Sequence, residues 1–114
     1  MAEARFRTVK DVNVVTAFPG VTRQTMASGD LTTLIRVEIA AGKVVPEHSH
    51  PHEQTGTVIS GVVSVRLDGA SAMTICVAGD AYIIPGGLLH EFTAIEDAVL
   101  IECFSPVRED YAND

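Results

Sequence analysis

Three of the four histidines, His48, His50 and His52, fall within five residues of one another. The fourth, His90, follows a Pro85-Gly86-Gly87 turn. Neutral imidazole is the commonest metal ligand among side chains at ordinary pH. In an extended segment, residues two apart point to the same side, so His48 and His50 are placed to offer two rings to one ion, and His90 is a third donor from elsewhere in the chain. His52 shares their parity, but Pro51 breaks the strand before it, which leaves His52 outside the expected ligand set. An ion held by such donors either polarises a substrate oxygen or, with open positions, activates oxygen.

The elements that must position these side chains read as short strands. Residues 4–9 alternate weakly, as an edge strand would. Residues 12–18 form a second apolar run, closed by Pro19-Gly20, and residues 21–26 a third, closed by Ser28-Gly29-Asp30. Residues 31–39 alternate strictly, with Thr33, Ile35, Val37 and Ile39 on one face and Thr32, Leu34, Arg36 and Glu38 on the other. Val44-Val45-Pro46 leads into the histidines. Beyond them, strands are expected at 57–59, 62–67, 73–77, 81–84, 91–94 and 98–104. The turns between them are Ser60-Gly61, Asp68-Gly69, Ala78-Gly79-Asp80, Pro85-Gly86-Gly87 and Glu96-Asp97. Residues 105–114 are polar and read as a short helical turn or an ordered tail. No stretch keeps a helical apolar period over three turns, so about ten short strands imply an all-β sandwich or barrel with a pocket inside.

The chain's 114 residues fit a single domain. Its hydrophobic residues lean to Val and Ile, which favours strands. The net charge of −7 offers no basic patch for phosphates and argues against nucleic acid. No apolar stretch approaches the ~18 residues of a membrane span, and Arg5, Arg7, Lys10 and Asp11 interrupt any signal-like run. A cytoplasmic protein with a small-molecule substrate is expected. Cys76 and Cys103 sit in apolar runs without a CxxC motif and read as buried free thiols. The apolar N-terminal strands at 4–26 leave a sheet edge that invites a homodimer.

Two spacings together carry a resemblance. Gly42, five residues, His48-Ser49-His50, three residues, Gln54, six residues, Gly61 resembles the first cupin motif. Gly79, five residues, Pro85-Gly86-Gly87, two residues, His90 resembles the second, with 17 residues between the motifs. The resemblance implies a small single-domain cupin of the RmlC-like type, a double-stranded β-helix or jelly-roll barrel. Its core would run over about 30–104, with edge strands at 4–26 and a tail at 105–114. The family usually has Glu where Gln54 stands and Asn where Ala94 stands. The stretches His48-Ser-His-Pro-His-Glu-Gln54, Gly79-Asp-Ala-Tyr-Ile-Ile-Pro-Gly-Gly87 and Phe104-Ser-Pro-Val-Arg-Glu-Asp-Tyr111 are similar to small cupins of the pectin-degradation type, which act on unsaturated uronates. That similarity implies one divalent transition metal ion (zinc, nickel, manganese or iron) on His48, His50, Gln54 and His90. It also implies Glu102, Phe104 and Arg108 facing the substrate, with Glu102 standing where Asp is usual.

Gln54 is neutral, so such a shell leaves the ion its full charge, which favours a Lewis acid over a redox centre. In the last strand Ala98, Leu100, Glu102 and Phe104 share a face; Glu102 there is either solvent-exposed or lines a pocket near the metal. Arg108 is either a carboxylate clamp or the partner of Glu109 or Asp110. Arg36 is either a carboxylate anchor in the barrel mouth or a surface charge, and Tyr82 either lines the pocket or packs. Three functions fit these residues. The first is a non-redox metal enzyme acting on a small carbonyl or unsaturated uronate by linearisation or isomerisation, with Glu102 moving a proton. The others are a cupin-type dioxygenase and a non-catalytic ligand-binding or sensor protein.

Overall fold

The computed structural model describes residues 3–114. Its strands are β1 (Val15–Phe18), β2 (Val21–Ser28), β3 (Thr33–Ile39), β4 (Val44–His48), β5 (Glu53–Leu67), β6 (Thr74–Val77), β7 (Ala81–Ile84) and β8 (His90–Ser105). No helix among the described residues is long and apolar enough to cross a membrane. The register sorts the strands into two layers. In the first, β1, β2 and β3 lead to residues 98–104 of β8, which pair with residues 53–58 of β5, flanked by β7. In the second, β4 pairs with the start of β8, which pairs with the end of β5, flanked by β6. All neighbouring pairs are antiparallel, and the layers face each other as the expected all-β jelly-roll barrel.

β5 and β8 are the frame, because each runs through both layers. They cross over at bulges between Val58 and Val63, where the ladder loses register. Gly61 sits at that corner with φ +84°, and a Cβ there would run into the Asp97 carbonyl oxygen. The reverse turns expected at Ser60-Gly61 and Glu96-Asp97 are therefore bends within single long strands, and about ten expected strands become eight. A bulge and a turn draw on the same small and polar residues, so local sequence does not separate them.

The N-terminal expectation also changes. Residues 4–9 form no strand, and Phe6 is almost fully exposed. This arm lies along β2 instead. Arg5 and Arg7 donate to the Ser28 and Thr25 carbonyls, and Gln24 Nε2 donates to those of Val9 and Val12. Of residues 12–18 only Val15–Phe18 is strand. The tail after β8 is the ordered alternative of the two expected, with turns at 109–113 closed by the Tyr111 N–H to the Arg108 carbonyl and the Asp114 N–H to the Tyr111 carbonyl.

The alternation read in β3 holds: Thr33, Ile35, Val37 and Ile39 are buried, while Leu34 and Glu38 are exposed. The inner faces meet in a core of Val21, Ile35, Val37, Ile39, Val58, Val63, Val65, Ile84, Phe92 and Leu100. Each fully buried Val, Leu or Ile contributes about 1.5–3 kcal/mol relative to exposure. This aliphatic packing fixes the walls between which the polar residues stand. Cys76 is buried and Cys103 half-buried, both as free thiols.

Candidate active site

The histidine stretch is only partly a strand. β4 ends at His48, and residues 49–52 form a loop that leads into β5. The rings converge nonetheless. His48 pairs across the ladder with His90, the first residue of β8, and their ring centroids are 4.3 Å apart. The His50 centroid lies 5.0 Å from that of His90. The loop is fastened to the turn before His90, where the Gly87 N–H donates to the His50 carbonyl at 2.7 Å. Gly86 lies so close to the Pro51 carbonyl oxygen that a Cβ would collide with it.

Each of these imidazoles has its Nδ1 against a main-chain carbonyl. His48 meets Pro46 O at 2.8 Å, His50 meets His52 O at 3.1 Å, and His90 meets Leu88 O at 2.8 Å. A carbonyl only accepts, so Nδ1 carries the proton and the Nε2 lone pair is left to face a ligand. Coordinating nitrogens of the three residues lie within 4.8 Å of one another. His90 Nε2 is buried without a hydrogen-bond partner. Burial lowers the His90 pKa to about 4 and lowers that of His50 as well, so both rings are neutral near pH 7, as a metal ligand must be. His52 stays outside this cluster.

Gln54, at the start of β5, is buried next to this cluster. Its Nε2 donates to Glu102 Oε2 at 2.6 Å, which turns its Oε1 toward His50 Nε2 at 2.9 Å. With the His50 proton on Nδ1, two lone-pair atoms face one another there, an arrangement that a shared cation satisfies. The orphaned His90 nitrogen and this Gln54–His50 pair both fit a divalent ion on three Nε2 atoms and one amide oxygen, neutral donors of the kind that zinc, nickel, manganese and iron accept.

Glu102 is buried on the inner face of β8 and accepts from both Gln54 Nε2 and the Tyr82 hydroxyl, the latter at 2.5 Å. Burial raises its pKa above the carboxylate range, although the Tyr82 and Gln54 hydrogen bonds and the Arg108 charge pull the other way. Tyr82 is itself pushed up by burial and by the Glu102 charge, so it stays a donor. Gly56 makes room for it, because a Cβ there would lie 2.5 Å from the Tyr82 ring. Of the two roles open to Tyr82 in the sequence, packing is the one found, edge-on to Phe92 against the core, and holding Glu102 adds to it.

These groups line one cavity of about 170 Å³ between the layers. His48, His90, Gln54, Glu102, Phe104, Arg23, Arg108 and Tyr111 are among its lining residues. The Phe104 ring packs edge-on to His50 at 5.4 Å. Arg108 is nearly buried and bidentate to Asp110, at 3.0 and 2.8 Å, with its guanidinium 4.0 Å from the Tyr111 ring centroid. Arg36 is elsewhere. It pairs in register with Gln24 on the outer face of β3 and meets Glu38 at 3.4 Å, opposite the face that Ile35 and Val37 turn to the cavity. Arg36 therefore does not line the cavity, whereas Arg23 does, and the sequence around Arg23 (Thr22, Arg23, Gln24, Thr25) has no alternation to reveal it.

The cupin-domain family model (Cupin_2) matches residues 35–104. The chain is 31% identical over 94 residues to the pectin degradation protein KdgF of Dickeya dadantii (strain 3937), covering 81% of this chain and 84% of that one. The structure of KdgF from Halomonas sp. superposes with a TM-score of 0.86 at 29% identity, covering 95% of this chain and 98% of the other. A RmlC-like cupin from Shewanella frigidimarina NCIMB 400 gives a TM-score of 0.86 at 25% identity, over 96% of both chains.

Proposed function

The chain belongs to the cupin family, and from that premise we propose that it is a metal-dependent, non-redox enzyme that converts unsaturated uronates to linear keto sugars. One observation carries the reading. The buried carboxylate of Glu102 is joined through a single amide, Gln54, to a cluster of three converging imidazoles, and Glu102, Gln54, His48 and His90 line one cavity. The similarity to the pectin degradation protein KdgF supports the substrate class.

His48, His50, His90 and Gln54 would hold one divalent ion; when bound, it acts as a Lewis acid toward a sugar oxygen, and the neutral donors leave its charge undiminished. The remaining work falls to the chain's own residues. Gln54 and Tyr82 both hold Oε2 of Glu102, which leaves Oε1 outside both bonds. Glu102 takes the proton of the anomeric hydroxyl as the bond between C1 and the ring oxygen breaks. C1 becomes a carbonyl and the ring oxygen leaves as an enolate, which becomes a ketone when C4 takes up the proton that Glu102 returns. The net change is an isomerisation, with no oxidant or reductant. Burial raises the Glu102 pKa, which strengthens it as a base. Phe104 offers a flat apolar surface beside His50, and Arg108, its fork filled by Asp110, lines the same cavity.

The test is metal analysis of the purified protein, followed by assay of unsaturated galacturonate and mannuronate. Loss of the ultraviolet absorbance of these sugars should be much faster with metal-loaded protein than without it. Equal rates with and without protein would sink the proposal.

A further inference from the structure

Two guanidinium groups line the cavity, those of Arg23 and Arg108, and both are held by carboxylates of the C-terminal tail. They are held differently. Arg108 and Asp110 are two residues apart on the same tail, and the fork of Arg108 takes both oxygens of Asp110, at 3.0 and 2.8 Å. Arg23 sits on β2, and its partner Asp114 is 91 residues away in sequence. Here Nε and Nη2 both converge on the same atom, Asp114 Oδ2, at 3.1 and 2.9 Å. A guanidinium fork matches a carboxylate best when two donors meet two oxygens. The fork of Arg108 is filled in that way, whereas Arg23 has a one-oxygen partner that is itself about a fifth exposed. Partly exposed ion pairs of this kind are weak.

The surroundings of Arg23 favour an anion from outside. It stands on the inner face of β2, in register with Val37 on one side and Val15 on the other, in the same cavity wall system as Gln54 and Glu102. Its guanidinium is stacked 4.1 Å from the Tyr111 ring centroid, the ring that also stacks with Arg108. Stacking fixes the plane of the fork while leaving its donor edge free to exchange partners.

We infer that Arg23 is the direct binding residue for the carboxylate of a uronate substrate, and that the Asp114 side chain is a resident stand-in which that carboxylate displaces. The inference rests on the uronate reading above. It assigns specificity for acidic over neutral sugars to a strand residue outside both histidine motifs. It also makes the tail responsive to substrate, because an incoming carboxylate on Arg23 releases Asp114 from β2.

The experiment uses saturated galacturonate, which binds without reacting, with its methyl ester as the neutral control. Binding to the metal-loaded protein is measured by calorimetry. Arg23→Met should weaken galacturonate binding tenfold or more and leave the ester unchanged, with Arg23→Lys falling between. Asp114→Asn should strengthen galacturonate binding several-fold, because the competing carboxylate is gone. A purely structural Arg23–Asp114 tie predicts shifts in the same direction for both variants, and that result overturns the inference. So does an ester that loses as much as the acid, or a parent protein that binds neither. Turnover of unsaturated galacturonate is followed in parallel. Opposite binding shifts without turnover leave Arg23 as the clamp and remove the proposed reaction. Normal turnover with an unchanged KM in Arg23→Met removes the clamp and leaves the reaction.

Discussion

The imidazoles and the amide reach the same point in the cavity from supports of different kinds. His48, His50 and His90 are each oriented by a main-chain carbonyl two residues away in sequence. Gln54 is oriented by Glu102, 48 residues away, which is in turn held by Tyr82. A backbone acceptor survives any side-chain substitution nearby, so the histidine arm is locally built. The Gln54–Glu102–Tyr82 arm is a relay of side chains, in which losing one member leaves buried polar groups short of partners. Metal retention should follow the first arm, and proton transfer the second.

The strongest way to break that division is His90→Ala. It removes a buried donor that no neighbour replaces, and metal affinity should fall by more than about 100-fold, beyond the usual cost of losing a supporting residue, with turnover lost alongside. Metal titration of the refolded variant checks this; retained affinity would mean that the imidazole cluster is not the ion's seat. Next in size is Glu102→Gln, which keeps the shape but removes the base. Turnover should drop about 10²–10⁴-fold, while metal content in the same preparation stays near that of the parent. If metal leaves together with activity, the two arms are one unit and the comparison fails.

Tyr82→Phe sharpens the comparison with a smaller effect. Burial holds the Glu102 pKa above the ordinary carboxylate value, and the Tyr82 hydrogen bond offsets part of that rise. Without the hydroxyl the pKa climbs further. Turnover that needs the carboxylate form is lost as pH falls through that pKa, so the acidic limb of the pH–rate profile should move to higher pH. Turnover at neutral pH should fall by about tenfold, the scale of one charge-assisted hydrogen bond. A profile that stays in place would show that Tyr82 only packs.

The histidine arm was legible in the sequence because its information is local. His48, His50 and His90 are recognisable by their spacing from glycines and prolines, and the structure brings all three together. The face of β8 that carries Glu102 and Phe104 was legible from strict alternation. What the sequence hid was non-local. The corner near Gly61 looks like a turn but is a bulge, because the strand continues only through pairing with a β8 more than thirty residues away in sequence. Arg36 and Arg23 sit on neighbouring strands, and only the register shows that Arg23 faces inward while Arg36 pairs with Gln24 outside. The bond from Tyr82 to Glu102 joins β7 to β8 across β5, through the space left by Gly56, and no spacing in the chain encodes it.

The fastening between the His50 carbonyl and the Gly87 amide, with Gly86 pressed against Pro51, has a consequence for how the ion comes and goes. Small zinc domains fold only around their metal. Here an aliphatic core closes the barrel and the latch aligns the rings through main-chain atoms alone, so the ordering cost of coordination is met before any ion arrives. An ion held there would then be a replaceable part. A chelator should strip it and leave a folded shell that reloads on mixing. Which of several divalent metals occupies the shell would be decided by supply in the surroundings as much as by the shape of the site.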